Sequence, residues 1–149
     1  MKKRLIVGSV LALSIPVIKF YEGYHPKAYI DPVGILTACY GHTGDVVRKT
    51  YNRTECEQLL TDDVLKALDG VNRNVLINIT NEERAAYTSF VFNVGEGSFR
   101  KSTMLKKLNS GDRVGACNEL SKWVYAGGKK LNGLVKRREA ERKLCLEGI

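Results

Sequence analysis

Apolar positions run almost without interruption from Leu5 to Ile18, broken only by Gly8, Ser9, Ser14 and Pro16. From Ser14 onward the pattern predicts a helix, with Ser14 as its cap, Pro16 in the first turn, and Val17, Ile18, Phe20 and Tyr21 turned inward. Glu22-Gly23 supplies the stop. Between Tyr24 and Thr43 the pattern changes. Tyr29, Ile30, Val33, Ile35, Leu36, Thr37 and Tyr40 favour strands, and Asp31-Pro32, Gly34 and Gly41 supply turns, which predicts a small antiparallel sheet. Helical spacing then takes over. Thr54-Glu55 opens a helix carrying Leu59, Leu60, Val64, Leu65 and Leu68 that ends near Gly70. Thr80-Asn81-Glu82-Glu83 opens the next, through Asn93, with Gly95 and Gly97 ending it. Short helices are expected over Ser102–Leu108 and Asp112–Val124, the latter stopped by Gly127-Gly128, and a last one over Val135–Leu146. A sheet lobe followed by a helical lobe is an α+β arrangement whose natural ligand site is the cleft between the lobes.

Composition narrows the class. At 149 residues, with 44% hydrophobic and 27% charged positions, the chain reads as a single soluble globular domain, and disordered and fibrous classes are excluded. The net charge of +8 points to an anionic partner, or simply to solubility. The basic residues cluster late, at Lys129, Lys130, Lys136, Arg137, Arg138, Arg142 and Lys143. Glu139 and Glu141 interrupt them, so the run reads as a mixed helix face as much as a track for a polyanion. Zinc-finger spacing, heptads and RNP-type aromatics are absent, and no nucleic acid is expected as partner. Cys39, Cys56, Cys117 and Cys145 form no C-x-x-C pair, so no metal is expected; they permit three disulfide pairings in an oxidising compartment, and the reading preferred here is buried thiols that pack as small hydrophobes. Lys2, Lys3 and Arg4 ahead of the apolar run leave residues 1–13 open between an export signal and an apolar extension of a domain covering 14–149.

Glu22, where a helix meets a loop, is a candidate acid. Phe20, Tyr21 and Tyr24 lie near it in sequence, and an apolar wall disfavours the charged form of a carboxyl group. Asp31 and Thr37 follow across the start of the sheet, where the hydroxyl of Thr37 and the carboxylate of Asp31 could share a water. On these residues alone a helix-end charge and an ordinary turn aspartate are the better explanation of the pattern.

The wider constellation changes that balance. Glu22-Gly23, then Tyr29-Ile30-Asp31-Pro32-Val33-Gly34 with Thr37, then Gly41-His42-Thr43, closely resembles the active-site region of phage lysozymes, glycoside hydrolase family 24. Ser89–Gly95, Phe99 with Ser102–Leu105, Trp123, Ala126-Gly127-Gly128, Gly133-Leu134 and Arg137-Arg138-x-x-Glu141 resemble later blocks of the same family. The resemblance extends over roughly residues 14 to 145. It implies a lysozyme-like fold and a cofactor-free monomeric endolysin that cuts the β-1,4 bond between N-acetylmuramic acid and N-acetylglucosamine in bacterial peptidoglycan. It implies Glu22 as general acid, Asp31 and Thr37 placing the water of an inverting reaction, and His42 orienting the Glu22 region. Phe92, Asn93 and Ser102 would contact sugar rings. Cys117 stands where some relatives carry a polar contact, and Trp123 reads as a core anchor. Several relatives carry an amino-terminal segment that first tethers and later releases the enzyme, and Lys2–Ile18 resembles a shortened version. This places the chain in the host cytoplasm or periplasm, acting on the wall, with a transient inner-membrane tether. The rival readings are a lytic transglycosylase, which needs one glutamate only, and a basic membrane-active or wall-binding protein without catalysis.

Overall fold

The computed structural model describes residues 2–149, so Met1 of the expected extension lies outside the described residues. Helix α1 runs unbroken from Lys2 to Glu22. The boundary expected at 13/14 therefore falls inside one helix. Ser14 is not a cap; it is fully buried in mid-helix, where α1 crosses α3 (Asn81–Val94), and its hydroxyl has no hydrogen-bond partner. A small side chain suits such a crossing. The inward stripe is Val10, Ser14 and Ile18 at four-residue spacing, whereas Phe20, expected inside, is 79% exposed. Pro16 removes one helical donor, but it and Ala12 both face solvent, so water can satisfy the freed carbonyl. Among the described residues no helix is long and apolar enough to cross a membrane.

Strands β1 (His25–Ile30) and β2 (Leu36–Cys39) pair antiparallel, with Tyr29 opposite Thr37 and Ile30 opposite Leu36. Helix α2 (Arg53–Asn74) then connects the sheet lobe to the helical lobe. Its cap is Asn52, in a reciprocal capping box with Glu55, one turn boundary earlier than Thr54 suggests. Gly70 does not end it. The side chain of Glu96 lies on Gly70, where an added Cβ would meet it at 3.3 Å, so this glycine serves a close approach within the helix. Thr80 and Glu83 form the capping box of α3 as their sequence predicts, and Gly95, at φ +89°, ends that helix.

Past Gly95 come α4 (Glu96–Lys101), which the glycine pair concealed, α5 (Thr103–Asn109), α6 (Arg113–Glu119) and a single 3-10 turn at Leu120–Lys122. Gly127 and Gly128 do not stop a helix. Both hold positive φ, +56° and +78°, and form the two-residue turn of a hairpin between β3 (Tyr125–Ala126) and β4 (Lys129–Lys130). Helix α7 (Asn132–Glu147) packs on α3 and α1.

Two cores result. The helical lobe is filled by Tyr87, Phe90, Phe99, Met104, Leu108 and Leu120, with Trp123 set edge-on to Phe90 at 5.2 Å, as an anchor would be. The sheet lobe is filled by Ile18, Tyr40, Tyr51, Leu60 and Val64. Phe92, at the end of α3, packs against both.

The cysteines are not free thiols. Cys39 pairs with Cys56 and Cys117 with Cys145, with Cα atoms 5.0 and 5.8 Å apart. Burial was read correctly, but the folding back of β2 on α2 and of α6 on α7, which brings each pair within bonding reach, leaves no mark in the spacing. The first bridge ties the sheet lobe to α2; the second closes the helical lobe beside the buried Tyr87 hydroxyl. Loops of 17 and 28 residues correspond to about 3 kcal/mol each in the chain-entropy model. Replacing Cys39 and Cys56 together with serine is expected to lower the melting temperature by roughly 10 °C. Calorimetry of the variant beside the oxidised protein checks this.

Candidate active site

Glu22 is the last residue of α1, at the junction of the lobes, with its side chain 20% exposed. Its carboxylate is not walled by aromatic rings, as the nearby sequence suggested. Phe20 points to solvent, and Tyr21 donates its hydroxyl hydrogen to the Lys136 carbonyl at 3.1 Å. The carboxylate lies instead between a cation and a glycine. Arg137 Nη1 donates to Glu22 Oε1 at 2.7 Å. On the other side, a Cβ added to Gly41 would stand 2.6 Å from Glu22 Oε2. Gly41 closes a tight turn in which the Ala38 and His42 backbones bond each other at 2.9 and 3.0 Å, with Cys39 and Gly41 both at positive φ.

The expected partners come from the sheet. Asp31 Oδ1 accepts the backbone N–H groups of Val33 at 3.0 Å and Ile35 at 2.8 Å, which fixes the carboxylate in its turn and leaves Oδ2 available. Buried Thr37 donates its hydroxyl hydrogen to the Ile35 carbonyl at 2.9 Å, so toward a water it can act only as acceptor. Tyr29, across the ladder from Thr37, connects the two acids: burial first, then the negative charges of Glu22 and Asp31, push its phenol up. One phenol thus senses both carboxylates, and the Y-x-D spacing marked it.

Two hollows flank the end of α3. One, of about 320 Å³, lies between the lobes and is lined by Gly41, Thr43, Asp63, Lys66 and Phe92, among others. The other, of about 340 Å³, holds Glu22, Tyr21, Asn93, Leu131 and Arg137. The structure therefore brings Phe92 and Asn93 to the cleft. Ser102 it does not bring there: buried, it caps α5, donating to the Phe99 carbonyl at 2.7 Å and accepting from the Leu105 N–H at 3.1 Å. Cys117 is buried in its disulfide. His42 bonds Asp63 at 2.7 Å and also Asp45, so any effect on Glu22 passes through its neighbour Gly41. Burial of the imidazole opposes its charge, but the bonds to Asp63 and Asp45 outweigh it and raise the pKa. Burial pushes Asp63 up as well, while Asp45, largely exposed, is drawn below the usual carboxylate range by the imidazole and remains the surer counter-charge in mild acid.

The late basic run also changes meaning. Arg137 and Arg138 are 3% and 1% exposed, and Glu141 is fully buried between them. They are not a surface face. Lys129 and Lys130 on the hairpin and Lys136 and Lys143 on α7 are the exposed members of the run. The Arg137-Arg138-x-x-Glu141 block carried no role in the sequence reading; its spacing puts all three residues on one side of α7, and that side faces the core.

Among the described residues no group of acidic, histidine or cysteine side chains could hold a metal ion. A model of the phage lysozyme family matches residues 19–141. The chain belongs to the phage lysozyme family. This phage lysozyme is 49% identical to the SAR-endolysin of Bacteriophage PS119 over 129 residues, 85% of the present chain and 77% of the relative. Its fold matches the muramidase domain of SpmX from Asticaccaulis excentricus at TM-score 0.83 and 29% identity, covering 89% of this chain and 94% of that one. The active form of the P1 phage endolysin also matches at 0.83, with 26% identity and coverage of 97% and 93%. The secreted inactive form of the same endolysin reaches only 0.56, with 29% identity and coverage of 73% and 78%. In fold the present chain is therefore more similar to the active form than to the inactive one.

Two outcomes follow for this lysozyme. Gly41→Ala is expected to cost about 1–3 kcal/mol, from the left-handed backbone and the contact with Glu22, read from denaturant midpoints. A raised histidine pKa contributes stability that is complete below the unfolded value near 6.5 and fades as pH climbs through the folded one. The melting temperature of His42→Gln should therefore lie furthest below wild type near pH 5.5, the gap narrowing above neutrality.

Proposed function

We propose that this chain is a muramidase that hydrolyses the β-1,4 bond between N-acetylmuramic acid and N-acetylglucosamine in bacterial peptidoglycan, as a cofactor-free monomer. The observation that carries the reading is the placement of Glu22 on a hollow at the lobe junction, held by Arg137, with Asp31 fixed in its own turn after β1. Glycoside hydrolysis requires a carboxylic acid to protonate the leaving oxygen and a second group to direct the attacking water. Glu22 supplies the first. Asp31 Oδ2, in the turn after β1, and an acceptor lone pair of Thr37, on β2, supply the second. A water held there attacks the far face of the sugar, which inverts the anomeric centre; this geometry needs carboxyl groups about 6.5–9.5 Å apart, against about 5–5.5 Å for a retaining pair. Phe92 and Asn93 line the path of the glycan on either side of Glu22.

The positive charge raises encounter with anionic wall polymers and acts less at high salt. The action on the wall of a host cell follows from the same reading, and so does the tether expected of Lys2–Ile18. Because α1 ends on Glu22, a chain with this helix engaged at a lipid surface has no assembled cleft. Recovery of the protein solely in the soluble cytoplasmic fraction of an expressing cell would overturn the tether and leave the muramidase reading standing.

Clearing of purified peptidoglycan tests the chemistry. Glu22→Gln keeps the shape and is expected to lower the rate by about a hundred- to ten-thousand-fold with the melting temperature little changed. Undiminished lysis by that variant would favour membrane activity over catalysis. Mass spectrometry of the digest should show reducing ends; 1,6-anhydro ends would instead identify a lytic transglycosylase.

A further inference from the structure

Every nitrogen of the Arg137 guanidinium is committed. Nη1 holds Glu22 at 2.7 Å, Nη2 donates to the Ser89 carbonyl at 3.3 Å, and Nε donates to Glu141 Oε2 at 3.4 Å. Glu141 touches neither cleft hollow. It is fully buried and accepts from Ser89 Oγ at 2.6 Å on the same oxygen, and from Arg138 Nη1 at 2.7 Å on the other. Arg138 in turn bonds the Asn93 side chain, which lines the hollow holding Glu22, and donates Nε to the Trp123 carbonyl at 2.9 Å.

We infer that Glu141 is a positioning residue for Glu22: one buried carboxylate sets Arg137 against the acid and Arg138 against Asn93, and fixes how much positive charge Glu22 meets. The inference rests on the reading of Glu22 as the acid. With Glu22 ionised, the cluster of Arg137, Arg138, Glu141 and Glu22 is neutral; with Glu22 protonated, as acid catalysis needs, it carries one net positive charge. Without the Glu141 charge these become one and two, and taking up the proton becomes harder in a buried site. Arg137 of α7 faces Glu22, with Arg138 and Glu141 behind it, and Tyr29 of β1 lies within the field of Glu22 and of Asp31, in the turn after β1. Helix α3 contributes only the neutral Ser89 and Asn93. Among the described residues, Glu141 is the carboxylate of α7 that bonds both Arg137 and Arg138. Ser89 acts in the reverse sense, because its hydroxyl withdraws part of the Glu141 charge from Arg137.

The alkaline limb of the pH–activity profile reports the acid. At constant ionic strength on purified peptidoglycan, Glu141→Gln is expected to move that limb about one unit to lower pH, with kcat falling at neutral pH and KM little changed. Glu141→Asp, which keeps the charge, should restore the limb even where its melting temperature is as low as that of Glu141→Gln. Ser89→Ala should move the limb a few tenths the other way. A purely structural role would lower stability in these variants and leave the limb in place, and that result overturns the proposal. Should Glu141→Gln not fold, Ser89→Ala decides: an unmoved limb overturns it. Glu22→Gln in parallel separates the two readings. If it is inactive while the limb of the other variants stays fixed, only the role of Glu141 fails; if it retains activity, the assignment of the acid fails first.

Discussion

A guanidinium with charged or polar partners on every side is the constraint from which the lobe junction is built. Arg137 joins the end of α1 to the middle of α7 through Glu22 and to the middle of α3 through the Ser89 carbonyl, so three helices meet at one planar cation. A cation this deep is tolerable only when it is paired, since removing one partner from such a group leaves an uncompensated buried charge at a cost of about 3–5 kcal/mol. The requirement runs through the helical lobe. Glu141 must be charged because Arg137 and Arg138 are, and Ser89 must be small and polar because Glu141 has a lone pair to fill. The same requirement holds Glu22 at one point of the cleft rather than letting a helix-end carboxylate sample solvent.

The sheet lobe meets that carboxylate from the other side with almost no tolerance. Gly41 has no Cβ where Glu22 stands, and the turn that carries it is held by the Cys39–Cys56 bridge, by the Ala38–His42 backbone pair and by the bonds of His42 to Asp63 and Asp45. The acid is thus clamped between a charge fixed by the helical lobe and a backbone fixed by the sheet lobe. On the function proposed for Glu22, substrate atoms would enter a site whose geometry is set before binding, which is where most of the electrostatic advantage of such sites arises.

Much of this was legible in the chain. The α+β order, the Thr80–Glu83 capping box, the Asp31 turn and the junction position of Glu22 follow from periodicity, caps and turn residues, because each depends on neighbours within a few positions. What was misread depends on distant neighbours. Ser14 reads as a cap until α3 crosses it; Gly70 reads as a stop until Glu96 lies on it; Gly127-Gly128 reads as a helix end until β4 returns alongside β3. The disulfides belong to the same class. Ser102 carries an ordinary capping signature, and the structure uses it for that rather than for the cleft.

The Arg-Arg-x-x-Glu block shows why the largest omission was chemical. Charged residues on a helix are ordinarily read as its wet side, because an isolated charge does not survive burial. That rule fails where charges are buried as a balanced set, and balance is a property of three helices and not of one. On α7, charges three and four apart alternate in sign along the same side that carries Cys145 into the core, and a helix whose apolar stripe is too thin to bury it must be burying something else. A stripe completed by paired charges is therefore a sequence signal in its own right. In this chain it leads from Cys145 through Glu141 and Arg137 to Glu22 at the junction of the lobes.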